Sequence, residues 1–158
     1  MSKKITIDTS TFDEIKKYYD ETLNTDKSTY KSSNDEPTPI GCISEMISKI
    51  PNELWSKSDL TILDPCCGNG NFAIPLYFQL LEVGYSPKTI LEDILEFNDI
   101  NNQRLDNVRQ IFREDMHHLK ITNEDYISKQ YHTQYDLVVA NPPYAKILEN
   151  GKRASKNH

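Results

Sequence analysis

Hydrophobic positions fall into short clusters separated by polar stretches, and their spacing changes near residue 60. Before that point the spacing is helical. Ser10/Thr11 followed by Glu14 forms a capping-box pattern, which opens a short helix through Ile15, Tyr18 and Tyr19. Lys27 to Pro37 has no hydrophobic period and reads as a loop. Thr38-Pro39 introduces a second helix with Ile43, Met46, Ile47 and Ile50 on its apolar face. Pro51 ends it, because the residue before a proline avoids helical dihedrals.

Beyond residue 60 apolar runs of strand length alternate with helical patterns. Leu60-Thr-Ile-Leu63 closes on Asp64-Pro65 and a glycine-spaced turn, and a helix from about Phe72 to Val83 ends at Gly84. Ser86-Pro87 favours another helix start, and Ile94–Phe97 reads as a second strand, although 88–97 fits a single helix equally well. Asn101 caps a helix bearing Leu105, Val108, Ile111 and Phe112 on one face. The run Tyr135–Ala140 is a last strand, landing on Asn141-Pro-Pro-Tyr144. Such alternation predicts βαβ units and an α/β fold with a mainly parallel sheet.

Composition narrows the classes. The 158 residues allow one domain. They are 37% hydrophobic, about 40% with the five glycines, against roughly 45–50% by that count in typical soluble domains, which predicts a small or incomplete core. No apolar run approaches the ~20 residues that span a bilayer, and the start lacks the apolar stretch of a secretory signal, so a cytoplasmic location is expected. Three cysteines, two adjacent (Cys66, Cys67), make no disulfide framework and suit a reducing compartment. With 24 acids and 18 bases the net charge is -6, which argues against a broad basic surface gripping nucleic acid unaided. His117, His118 and the cysteines lack zinc-site spacing, so no metal is expected.

Two constellations carry chemistry. In Asp64-Pro-Cys-Cys-Gly-Asn-Gly-Asn-Phe72 a strand ends on an acid and a Gly-x-Gly turn leads into a helix, the crevice where ligands bind in parallel α/β sheets. Gly68 and Gly70 let a ligand press against main chain where a Cβ would intrude. A carboxylate here disfavours a phosphate and suits a ligand with a cationic amine, a description that fits S-adenosylmethionine. Asp99, at the end of a second strand, can accept both hydroxyls of a ribose, and Asp115 is a candidate for an adenine amino group beyond a third strand. In the second constellation, Pro142 and Pro143 stiffen a loop at the mouth of a buried strand. The Asn141 side-chain oxygen and the Pro142 carbonyl are two acceptors, and Tyr144 offers an aromatic face; together they suit a planar molecule with an exocyclic amine.

Taken together, the two motifs resemble those of S-adenosylmethionine-dependent amino-methyltransferases, and in particular the adenine-N6 DNA methyltransferases of restriction–modification type. That family carries D-P-x-C-G-x-G-x-F and N-P-P-Y motifs in this order, with a T-P segment upstream where Thr38-Pro39 stands. Cys66 occupies a spot often filled by alanine. The resemblance implies a Rossmann-like domain over residues 37–146, preceded by a helix and polar loop (1–36) and followed by a basic tail (147–158). It implies that Thr38, Asp64, Cys66, Gly68 and Gly70 hold the methionine end of the cofactor, that Asp99 binds its ribose and that Asp115 binds its adenine amino group. Asn141 and Pro142 would accept from the adenine N6 of a base rotated out of the duplex, and Tyr144 would stack on it. Protein-glutamine N5 and RNA guanine-N2 methyltransferases share the N-P-P-Y pattern, and a non-catalytic cofactor-binding module remains an alternative. Members normally have seven strands and a target-recognition region after the catalytic motif, so this chain is expected to be truncated after its fourth strand. DNA is then the expected substrate, with a second polypeptide or a missing C-terminal half as partner.

Overall fold

The computed structural model describes residues 4–26, 37–126 and 134–140. Most of the polar loop, the Asn141–Tyr144 motif and the basic tail lie outside the described residues. Helix α1 spans Phe12–Tyr18 and opens on the expected capping box, with Thr11 Oγ1 accepting from Glu14 N and Glu14 Oε1 from Thr11 N. A single π-helical turn, Tyr19–Leu23, follows it. Helix α2 spans Ile40–Ser48 and α3 spans Asn52–Trp55. Ile40, Ile43 and Ile47 of α2 are buried, whereas Met46 is 53% exposed. Position 46 lies three residues from Ile43, but Ile40 and Ile47 centre the stripe elsewhere, so Met46 falls at its margin.

The sheet follows. Strand β1 is Ile62–Asp64, β2 Leu95–Asn98, β3 Lys120–Thr122 and β4 Leu137–Val138. Between them lie α4 (Ala73–Val83), α5 (Pro87–Thr89) and α6 (Asn102–Ile111). Gly84 ends α4 with φ +120°, a conformation that suits a residue without Cβ. The segment before β2 is not one helix: α5 is capped by Ser86, a π turn covers Ile90–Ile94, and the chain then extends. Asn101 caps α6, its side chain accepting from the amides of Gln103 and Arg104.

All pairings are parallel, and the order is β3-β2-β1-β4. Asp64 pairs with Phe97, Asn98 with Thr122, and Leu63 with Val138, which aligns the carboxyl ends of all four strands on one edge. The β1, β2 and α6 side chains enclose a core in which Ile62, Phe97, Leu105, Val108 and Phe112 are buried, with Phe97 and Phe112 rings 5.3 Å apart. Strand β4 is registered from its amino end by Asp136. Its Oδ2 accepts from Thr61 N at 2.9 Å and its Oδ1 pairs with Lys57, which holds the carboxyl below the ordinary range. Val138 is 54% exposed, and among the described residues β4 pairs with β1 alone. No helix among the described residues is long and apolar enough to cross a membrane.

Candidate functional site

Sheet order locates the site before any side chain is considered. From β1 the chain steps to β2 and β3 on one side, then returns to place β4 on the other. The connections therefore diverge at the carboxyl ends of β1 and β4, the crevice where open α/β sheets bind ligands. Asp64 ends β1 at this point, and the amide of Val139 donates to Leu63 O at 2.9 Å beside it.

Asp64 is 4% exposed. Its Oδ1 accepts from Cys66 N at 3.3 Å, and its Oδ2 is buried without a hydrogen-bond partner. Burial pushes its carboxyl well up, against the pull of the Cys66 amide, and the Asp99 charge adds to the rise. A buried carboxylate with an orphaned oxygen costs stability unless a donor arrives. Burial likewise raises the Cys67 thiol, with Asp64 and Asp99 adding to it, so this cysteine is a small apolar packing group rather than a nucleophile.

The loop after Asp64 is held from several directions. Gly68 has φ +57° and its amide donates to Asp99 Oδ2 at 2.8 Å. Asp99 Oδ1 accepts from Asn101 N at 2.8 Å, with Arg104 Nη1 3.9 Å away. Asp99 thus ties the glycine loop to the cap of α6. Gly70 has φ +93°, and a Cβ there would meet Phe112 at 2.9 Å, Tyr19 at 3.4 Å and Val108 at 3.5 Å. The glycine is therefore required by the core beneath the loop, whose side chains leave no room for a Cβ. Gly70→Ala should cost about 2–4 kcal/mol of stability, from overpacking plus an unfavourable φ. Urea denaturation checks this, and a loss below about 0.5 kcal/mol would contradict the packing argument.

Asparagines carry much of the scaffold, and sequence reasoning missed them. Asn98 is fully buried; its Nδ2 donates to the carbonyls of Pro65 and Glu124, and its Oδ1 accepts from Thr122 Oγ1 and Glu124 N. One amide thereby pins the chain leaving β3 against the chain leaving β1. Asn107 Nδ2 donates to Asn69 Oδ1, Tyr19 Oη to Asn69 O, and Asn71 Nδ2 to Thr38 O. The signal available was the density of asparagine around the Gly-x-Gly turn. Thr38, Asp64, Cys66, Gly68, Gly70 and Asp99 are all connected to this one loop. Tyr126, beyond β3, has its phenol raised by burial and by the nearby Cys66 and Asp125.

Asp115 is elsewhere, which corrects the expectation that it lies beyond a third strand. It precedes β3, because α6 ends at Ile111 and Arg113, at φ +64°, turns the chain before Lys120 begins the strand. Next to it, His117 Nδ1 lies 3.3 Å from Glu92 and Lys120 Nζ donates to Asp93 O, contacts at the amino end of β2. Asp115 itself forms a two-pronged pair with Arg113, which also reaches Asp8, on the surface; that pairing lowers its carboxyl below the usual range. The acids following β3 are Glu124 and Asp125.

The loop fits the methionine end of S-adenosylmethionine: the orphaned, buried Asp64 oxygen lacks the cationic donor that the ligand's ammonium supplies. Comparisons with known proteins identify the family. Residues 45–157 match the family model for the methyltransferase small domain. The chain is 30% identical over 115 residues to the type II methyltransferase M.VspI from Vibrio sp. (strain 343), covering 70% of this chain and 25% of that protein. The chain thus spans about a quarter of the length of that curated relative. Among solved structures, a class I S-adenosylmethionine-dependent methyltransferase from Listeria monocytogenes, so described, superposes with a TM-score of 0.61 at 18% identity, covering 92% of this chain and 43% of that one. A modification subunit described as from a type I restriction enzyme of Vibrio vulnificus YJ016 gives 0.61 at 16% identity, covering 90% and 31%. The chain belongs to the methyltransferase small domain family, with a class I methyltransferase fold and S-adenosylmethionine as its cofactor.

Proposed function

We propose that this chain is the cofactor-binding and catalytic part of an enzyme that methylates the N6 amino group of adenine in DNA, of the restriction–modification type. The observation that carries the reading is the parallel register of β4 with β1. Leu63 pairs with Val138, so the chain leaves β4 beside Asp64, and Asn141 is the residue after Ala140. The described residues, which run to Ala140, thus end at the edge that carries Asp64, and the second motif follows next in sequence. The naming of M.VspI as a type II methyltransferase supports the same substrate class.

S-adenosylmethionine, when bound, supplies a methyl group made electrophilic by its sulfonium. Asp64 holds its ammonium by charge, and the Gly68–Gly70 loop and Thr38 line the methionine end. Asp99 would take the ribose hydroxyls beside the two amides it already accepts from, and the acids beyond β3, in place of Asp115, would serve the adenine end. Asn141 Oδ1 and the Pro142 carbonyl accept the two N6 hydrogens of an extruded adenine, drawing lone-pair density back onto nitrogen. Pro143 stiffens the loop and Tyr144 stacks on the base. The rate then comes from positioning and fixed dipoles rather than from a base of shifted pKa. The net charge of -6 leaves the grip on DNA to further protein, either a second polypeptide or more of the same one.

The test is transfer of labelled methyl from S-adenosylmethionine to duplex DNA, RNA or glutamine-containing peptide. Label on adenine in DNA is expected. Label on peptide or RNA alone overturns the substrate class, and cofactor binding without transfer to any of them favours a cofactor-binding module.

A further inference from the structure

The segment before the sheet enters the cofactor loop through one π turn. Tyr19 Oη donates to Asn69 O at 2.7 Å, and Asn24 Oδ1 accepts from Asn71 Nδ2 at 2.9 Å. In an α-helix, residues five apart point about 140° from each other around the axis. The π turn, closed by Asn24 N donating to Tyr19 O at 2.8 Å, reduces that angle to roughly 50° at about 4.4 residues per turn. Tyr19 and Asn24 are therefore presented to the same loop by the winding itself. A π turn inserted in a helical segment carries a cost and recurs at functional sites.

Asn71 is where these contacts converge. It is 4% exposed, and its Nδ2 donates both to Asn24 Oδ1 and to Thr38 O, each at 2.9 Å. Its Oδ1 is buried and without a partner. Among the described residues, the buried side-chain oxygens left without a partner are this one and Asp64 Oδ2, seven positions earlier in the same turn. Two orphaned acceptors in one turn each call for a donor, and a primary ammonium has three.

We infer that Asn71 is a ligand-binding residue for the methionine end of the cofactor. Its free oxygen accepts from the ammonium that Asp64 neutralises, and its amide nitrogen locks Thr38 and the Tyr19–Asn24 turn around the same end. This rests on S-adenosylmethionine as cofactor, with its methionine end at Asp64.

The experiment compares, by calorimetry on the full chain, the affinity for S-adenosylmethionine with that for 5′-methylthioadenosine, which lacks the amino-acid end. Asn71→Ala should weaken S-adenosylmethionine about tenfold or more, the loss of one hydrogen bond to a charged group, while methylthioadenosine stays within about twofold. Asn24→Ala, at the edge of the joint, should weaken S-adenosylmethionine about threefold with the same selectivity, and Asn24→Asp, which keeps the acceptor, should restore it. Equal losses for both ligands, or no loss in Asn24→Ala, overturn the inference and leave Asn71 a structural residue. Failure of the unmodified chain to bind S-adenosylmethionine overturns the cofactor reading beneath it. Should Asn71→Ala not fold, the Asn24 pair decides the question.

Discussion

Asp64→Asn should stabilise the ligand-free chain and cripple cofactor binding in the same step. The carboxyl is 4% exposed, one oxygen accepts a 3.3 Å bond from Cys66 and the other has no partner. An amide of the same shape carries no charge to desolvate and no repulsion from Asp99, so the apo protein should gain about 1–2 kcal/mol. The cofactor's ammonium, however, loses its counter-charge in a buried setting. Truncating one side of such a pair costs about 2–4 kcal/mol, roughly 30- to 1,000-fold in Kd. Opposite signs in the two measurements are diagnostic, since damage to the fold would lower both. If denaturation and calorimetry show stability and affinity falling together, Asp64 is a structural residue.

The same group sets a pH dependence. Burial raises the Asp64 carboxyl, so over a window above its ordinary value the folded chain retains a proton that the unfolded chain has released. The stability this group allows is full below the ordinary carboxylate value and is lost as pH rises through the folded value. Binding runs the other way: the ionised form attracts the ammonium, so cofactor affinity climbs across that window and levels off above it. Asp136, lowered by Lys57, titrates in the opposite sense, with stability lost as pH falls. The useful quantity is therefore the difference between unmodified chain and Asp64→Asn from about pH 4 to 8, where the background of other carboxyls cancels.

What could be read from the sequence were the features decided locally. Thr11 with Glu14, Gly84 after Val83 and Asn101 before α6 cap helices through contacts two to four residues away, and all three do so here. The apolar run into Asp64 and the following Gly-x-Gly turn place the end of β1 and the glycine loop for the same reason. Features decided by distant partners were not legible. Lys120-Ile-Thr has little intrinsic strand signal; it becomes β3 because Phe97 and Asn98 offer a ladder, and so Asp115 was put on the wrong side of it. The π turn at Tyr19–Leu23 exists because Asn69 and Asn71, some fifty residues later, reward it with hydrogen bonds. At Gly70 a second demand on the glycine was not legible, since Phe112 lies beneath it only after α6 docks.

Asn141→Ala should reduce methyl transfer at least about a thousandfold while leaving S-adenosylmethionine affinity within about threefold. An aromatic amine is a poor nucleophile because its lone pair is delocalised into the ring; acceptors on both N–H bonds withdraw it from conjugation as the nitrogen becomes tetrahedral. That interaction strengthens only as the C–N bond forms, so its loss falls on the rate and spares the ground state. Cofactor affinity should be spared too, because the proposed reading gives the methionine end to β1 and the turn after it, whereas Asn141 follows β4. Asn141→Asp keeps a side-chain acceptor but adds a negative charge, so it should retain a little transfer. Single-turnover transfer measured at saturating cofactor separates these effects from binding. Transfer at the unmodified rate in Asn141→Ala would remove the chemical reason for a two-proline loop at the end of β4, and with it the amine as the acceptor of the methyl group.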